Sequence, residues 1–252
     1  MAGRDAIIDF LDELLDSQAF EDYGPNGLQV PGAAEVTKVA TGVSAHLELF
    51  ERAAAAGAQL VVCHHGIFWG SRNGPIDARM KRRLQTMFDA DLSLAAYHLP
   101  LDAHAEVGNN ALICRALGFD PVRPFASARG RPIGWLGKAG GVEVADLLER
   151  ARTAFGRDDV LHFDGGPGVV RTLGVVSGGG DGFFGEAIAA GVDAFVSGEP
   201  SEPAMADARE SGVHFLAAGH WASETFGVRR LGELLAERFG IEHEFIEVRN
   251  PA

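Results

Sequence analysis

Ile7, Ile8, Leu11, Leu14 and Leu15 recur at the spacing of one helical face and predict a first helix over residues 5–15. The turn residues Tyr23-Gly24-Pro25-Asn26-Gly27 close that segment. Beyond them, short apolar runs alternate with amphipathic ones. The pattern predicts strands over 36–43, 59–63 and 92–97 and helices over 47–56, 78–88 and 109–117. The theme returns downstream, with strands predicted over 171–177, 192–197 and 213–218 and helices over 183–190 and 203–211. A long helix and a strand over 241–248 follow. Between the two series, residues 121–168 are rich in Pro and Gly and carry a strand-like 132–138, a helix over 142–155 and a strand over 160–163.

Strands alternating with helices at this interval predict parallel sheet in α/β packing. Laid side by side, 37–44 falls on 171–178, and 56–65 on 190–199. The third strands, which end in His98 and His220, also correspond. A degenerate two-fold internal repeat accounts for this match better than the generic βαβαβ rhythm of any α/β chain. The expected architecture is therefore α/β, as two pseudo-repeated three-layer lobes, 1–124 and 125–252.

The chain has 252 residues, 46% of them hydrophobic and 23% charged, enough to bury a core in one large domain or two small lobes. No apolar run reaches the roughly 20 residues of a bilayer span, and Met1-Ala2-Gly3-Arg4-Asp5 lacks a secretory apolar stretch; no membrane partner and a cytoplasmic location are expected. Cys63 and Cys114 sit in apolar surroundings and are expected as buried, reduced thiols. A formal charge of -13 argues against a phosphate-driven grip on nucleic acid. Arg82-Arg83 and Arg229-Arg230 read as solvated helix faces.

Three segments carry chemistry, each after a strand-like run: Cys63-His64-His65-Gly66, Tyr97-His98-Leu99-Pro100-Leu101-Asp102 and Gly219-His220-Trp221-Ala222-Ser223-Glu224. Together they offer four imidazoles and two carboxylates, more donors than one tetrahedral ion can use, so the count points to two metals. His64, His98, Glu199 and His220 fall at the carboxyl ends of predicted strands, where open α/β sheets bind ligands. Adjacent side chains of a strand diverge, which suits His64 and His65 to two neighbouring ions; a buried core histidine pair is the alternative. Pro100 is expected to keep Leu99 out of helical geometry, joining His98 to Asp102 by a tight loop, with Asp102 a ligand or a helix cap. Ser223 is expected to cap a helix on which His220 and Glu224, four apart, share a face.

At these residues the chain closely resembles the NIF-three-like family of dinuclear-metal hexameric proteins, the GTP cyclohydrolase I type 2 homologues. The resemblance runs nearly end to end. It rests on Tyr23-Gly24-Pro25-Asn26-Gly27-Leu28-Gln29-Val30, His64-His65-Gly66-Ile67-Phe68-Trp69, His98-Leu99-Pro100-Leu101-Asp102-Ala103-His104, Gly108-Asn109-Asn110, Ser197-Gly198-Glu199, the segment from Gly219 to Glu224, and Asn250-Pro251-Ala252. It implies metal ligands at His64, His65, Asp102, His220 and Glu224, the last and Asp102 bridging, two interlinked α/β lobes with the metal site between them, and a toroidal homo-hexamer. It also implies pocket residues at Asn26, His104 and Glu199. Many relatives carry His-His-Pro and Thr-Gly-Glu where this chain has His64-His65-Gly66 and Ser197-Gly198-Glu199, departures that bear on the substrate pocket. The long inserted domain of some relatives is absent.

Two divalent cations, of Zn, Fe, Mn, Ni or Co, acidify water and polarise carbonyl or phosphoryl oxygens, so hydrolysis of a small anionic substrate is the expected reaction. His98, not needed for coordination, is the expected proton shuttle. For a purine nucleotide, Phe68 and Trp69 would stack on the base and Gly178-Gly179-Gly180 would approach phosphate; local core packing and a plain turn are the alternatives. The leading expectation is a metal-dependent hydrolase that opens the purine ring of GTP. A metallophosphoesterase and a non-catalytic metal-binding scaffold are the alternatives. His46, His162, His214 and His243 read as structural or surface.

Overall fold

The computed structural model describes residues 1–70 and 75–252. Its contacts divide into two units, Met1–Leu101 with Gly227–Val248, and Asp102–Phe226 with Arg249–Ala252. The chain passes between units at Leu101/Asp102, Phe226/Gly227 and Val248/Arg249, whereas the sequence reading divides its interlinked lobes at 124/125. Pairing and packing explain the difference. Helix Asn109–Ala116 packs on strands of the second sheet, and Glu242–Phe245 joins the first sheet beside Lys38–Ser44.

The first unit is built on a five-stranded sheet ordered Glu242–Phe245, Lys38–Ser44, Leu60–His65, Ser93–Ala96 and Gly27–Val30. All neighbours are parallel except Gly27–Val30, which runs antiparallel to Ser93–Ala96. The Leu60–His65 run LVVCHH is buried on both faces up to His64, as a parallel strand covered on both sides must be. Val61, Cys63, Leu94 and Ala96 join one core cluster with Phe50 and Met87. Helix Arg4–Leu15 buries Ile7, Ile8, Leu11 and Leu15, the stripe that its spacing predicts. Helix Ala78–Asp89 begins where Asp77 accepts a hydrogen bond from Met80 N at 2.8 Å, an N-cap.

In the second unit, six strands are ordered Asp120–Ala128, Arg131–Glu143, Val169–Val176, Ala194–Ser197, His214–Ala217 and Leu161–Phe163. The three consecutive strands from Val169 onward are parallel; Leu161–Phe163 and Arg131–Glu143 flank them antiparallel. The first unit differs in having four parallel strands beside its antiparallel edge strand. Val196 and Leu216 point into one core with Leu147, Ala151 and Phe155. Phe195 and Phe215, one residue out of phase, stack with Phe184 at 5.0–5.5 Å on the opposite face. The sheet of this unit is thus covered on both sides, giving three layers.

Among the described residues, the sequence pattern does not foresee the short antiparallel pair Ala2–Gly3 with Glu35–Val36, nor two longer edge strands. Asp120–Ala128 contains Pro121 and Pro124, which the sheet tolerates because this is the edge strand and its missing N–H groups belong to no inner ladder. Gly27–Val30 lies directly after a turn and is also an edge. Pro100 does not keep Leu99 out of helical geometry: Leu99–Ala103 is a short helix with proline in its first turn, where an N–H has no intrahelical partner to lose. No helix among the described residues is long and apolar enough to cross a membrane.

Candidate metal centre

The first unit brings three imidazoles together at the carboxyl end of its parallel strands. The register pairs Ser44 with His65 and Cys63 with Ala96, so His64, His65 and His98 emerge at one sheet edge. Ring centroids of His64 lie 4.7 Å from His65 and 4.9 Å from His98, and one donor nitrogen from each ring falls within 4.8 Å of the other two. His64 is fully buried, and its Nδ1 lies 3.0 Å from the carbonyl of Tyr97. A carbonyl only accepts, so Nδ1 carries the proton and Nε2 keeps its lone pair for a ligand. Ser44 Oγ lies 3.1 Å from His65 Nδ1 and holds the ring in place, as a hydroxyl can with either tautomer. Cys63 offers no thiolate here: burial pushes its thiol far above the ordinary range. Burial likewise raises the Cys114 thiol, to about 12, and both cysteines are free.

His98 is anchored by residues that spacing did not single out. Its Nδ1 sits 2.7 Å from Asp22 Oδ1, and its backbone N–H donates to Asn26 Oδ1 at 2.8 Å. Asn26 Nδ2 and the Leu99 N–H donate to the second Asp22 oxygen at 3.0 and 2.9 Å. Burial alone would raise the Asp22 carboxyl, but the hydrogen bond and charge of His98, with the donors from Asn26 and Tyr23, hold it below its usual value. The signal for Asp22 is only an acid one residue before the Tyr-Gly-Pro-Asn-Gly turn. Trp69 donates its indole N–H to Gly66 O at 2.9 Å and turns an edge to His98 at 5.2 Å. Phe68 and Trp69 are 36% and 37% exposed, which sets aside the local-core alternative. They line a small recess with Asn26, His64 and His98.

The second unit carries donors of its own. His220 opens the short helix His220–Ser223, and Glu224 follows it. Glu224 is buried, and its Oε1 lies 3.1 Å from His220 Nε2, while Glu199 Oε1 holds His220 Nδ1 at 2.8 Å. The hydrogen bond to Glu224 first, then its charge and Glu199, outweigh burial and raise the His220 pKa to about 9. Ser223 does not cap the following helix as expected. Its hydroxyl donates to His220 O and accepts from Gly178 N, both at 2.9 Å, because a buried hydroxyl must satisfy local backbone groups. Gly178, at φ +60°, allows the Glu224 carboxylate to approach where any Cβ would collide with Oε1. The glycine run is therefore packing, and the chain continues into a 3-10 turn, Gly180–Phe183.

Asp102 is 6% exposed, and its Oδ1 accepts from Asn109 Nδ2 at 2.9 Å and Ser177 Oγ at 3.0 Å. Asn110 braces the same corner by accepting from Ser177 N at 2.7 Å. Asp102 is thus no helix cap. Ser177 and the asparagine pair are positioning groups that residue counting missed; polar residues adjoining an acid were the available signal. His104 lies in a turn, its Nδ1 accepting from Glu106 N and Val107 N.

Comparison with known proteins identifies the family of the chain. Residues 2–251 match the family described as Duf34/NIF3 (NGG1p interacting factor 3). The chain is 44% identical over 247 residues to the GTP cyclohydrolase 1 type 2 homolog of Pseudomonas aeruginosa, covering 98% of this chain and 97% of that one. It is 40% identical to the homolog of the same name in Escherichia coli K12, over 96% of each. Among solved structures, protein ybgI, of unknown function, superposes with a TM-score of 0.92 at 39% identity, and TTHA1606 from Thermus thermophilus with 0.90 at 35%; each covers 100% of both chains. On these likenesses the chain belongs to the Duf34/NIF3 family.

Proposed function

We propose that this protein is a metal-dependent hydrolase holding two divalent ions on His64, His65, Asp102, His220 and Glu224. One observation carries the reading: the donors come with outer partners that fix their aim. Tyr97 O and Ser44 Oγ hold the Nδ1 atoms of His64 and His65, Glu199 holds His220 Nδ1, and Asn109 and Ser177 hold one Asp102 oxygen. Ligating imidazoles are normally oriented this way by a carbonyl, carboxylate or hydroxyl on the other nitrogen. Neutral imidazoles and carboxylates suit Zn, Fe, Mn, Ni or Co. Bound, such a pair supplies Lewis acidity and lowers the pKa of water.

The protein's own groups do the rest. Asp22 fixes the His98 tautomer through Nδ1, leaving Nε2 to take and return a proton during hydrolysis. The exposed Trp69 and Phe68 offer an apolar platform for a planar base. Asn26 and Glu199 act by orienting His98 and His220, and His104 is kept as a substrate contact. The relatives' name suggests a purine nucleotide, and we extend it to opening of the GTP ring, in a homo-hexamer whose native mass would be six chain masses.

The test is a screen of purified, metal-analysed protein against nucleotides and phosphoesters, following formate and phosphate separately, with Glu224→Ala as control. Formate release that disappears with the control supports ring opening. Phosphate release instead assigns a phosphoesterase, and turnover that survives Glu224→Ala removes this site from the chemistry.

A further inference from the structure

A second group of metal donors lies in the second unit, on the sheet's outer edge. There Leu161–Phe163 pairs antiparallel with His214–Ala217, with Leu216 opposite His162 and Phe215 opposite Phe163. Continuing that register sets Asp164 across from His214, so His162, Asp164 and His214 project from one face of the two-strand edge. One donor atom from each lies within 4.8 Å of the other two. His162 Nε2 and Asp164 Oδ1 are each 3.2 Å from His214 Nδ1. Two ligands of a tetrahedral ion with bonds of about 2.0–2.1 Å stand about 3.3 Å apart, close to both separations.

The hydrogen bonds of His214 aim its Nδ1 at this point. His214 is 1% exposed, and its Nε2 sits 2.9 Å from Pro167 O, an acceptor, so the proton is on Nε2 and Nδ1 presents a lone pair. The backbone N–H groups of Gly165 and Gly166 donate to that lone pair at 3.4 and 3.2 Å, long bonds sharing one acceptor. The carboxylate of Asp164 faces the same Nδ1 atom, so three donor atoms converge on a corner where a cation would take their lone pairs. Gly166 lets the loop come this near: a Cβ there would stand 2.5 Å from His214 Cδ2. The Asp164 side chain is 79% exposed, so the corner opens to solvent.

We propose that His162 Nε2, His214 Nδ1 and Asp164 Oδ1 bind a divalent transition-metal ion of the zinc, cobalt or nickel class, with water in the fourth position. The ion replaces the two long glycine bonds on His214 and ties the edge strand Leu161–Phe163 to its neighbour.

The site is tested with full-length, metal-stripped protein titrated with Zn2+ against a chelator. The parent, Glu224→Ala, His162→Ala and Asp164→Asn are compared, and crystals of the zinc-loaded parent are measured at the zinc edge. We expect an equivalent of zinc per chain that Glu224→Ala retains and that His162→Ala and Asp164→Asn bind at least about tenfold more weakly. We also expect an anomalous peak within bonding distance of the three named atoms. The parent crystal needs no variant to fold. Unchanged stoichiometry and affinity in both variants, or no peak at this corner at saturating zinc, would overturn the proposal.

Discussion

Asp22 touches the proposed chemistry only through His98, which makes it a sharp probe of what that imidazole does. Asp22→Asn keeps the shape but removes the charge that fixes the tautomer of His98. If His98 is a proton carrier, turnover falls about 10²-fold or more while bound metal stays constant, because general acid–base catalysis is worth about 10²–10⁴. Steady-state rates beside elemental analysis separate this from metal loss, and an unchanged rate rules out the role. His220 gives a second probe. Its pKa is raised to about 9 from 6.5 by Glu224 and Glu199, so without metal it is an imidazolium at neutral pH. A raised pKa contributes stability that is complete below 6.5 and lost as pH climbs through 9. Metal-free protein should therefore lose on the order of 1–3 kcal/mol in urea unfolding between about pH 6 and pH 9.5. Glu199→Gln should shrink that loss and weaken metal binding about 10–100-fold. A pH-independent unfolding midpoint in the metal-free protein contradicts the paired-imidazolium geometry.

At the scale of elements, what the sequence reveals depends on whether a local pattern or a distant partner decides the structure. The stripe of Ile7, Ile8, Leu11 and Leu15, and the apolar runs ending in His64 and Ser197, carry their own periodicity, and these elements form near the predicted residues. The edge strand Asp120–Ala128 is defined by pairing with Arg131–Glu143, and its two prolines hide it from any local rule. The proposed metal ligands could be singled out because imidazoles and acids follow strand-like runs. Asp22, Ser177 and Asn109 could not, since their importance lies in hydrogen bonds to those residues. Gly178 belongs to the second group: only the fold reveals that Glu224 occupies the space a side chain would need. Gly178→Ala also places a Cβ at φ +60°, a strain of about 1–3 kcal/mol. It should lower the unfolding midpoint and reduce the metal content together, read by denaturation and elemental analysis. Full metal content with wild-type stability would show that the loop yields without moving Glu224.

The whole chain is less divisible than its two-fold rhythm suggests. The sequence invites a cut near 124, but the first unit takes back residues 227–248, which contribute Val228, Leu231, Leu235, Ile241 and Ile246, each no more than 6% exposed. They also contribute the strand Glu242–Phe245, hydrogen-bonded to Lys38–Ser44 from Glu242↔Lys38 to Phe245↔Thr41. Burying side chains of this size is worth about 1.5–3 kcal/mol each, so their loss removes about 7–15 kcal/mol. That equals the roughly 5–15 kcal/mol by which a typical domain is stable at all. A fragment of residues 1–124 keeps His64, His65, His98 and Asp102 in its sequence, yet it should not fold. Urea titration followed by circular dichroism should give a shallow, non-cooperative change, and zinc uptake should be weak and unsaturable. Adding a peptide of residues 225–248 should restore a cooperative transition, because it returns the missing strand and apolar face. A sharp unfolding transition in the fragment alone would mean that the first unit's core closes without residues 227–248.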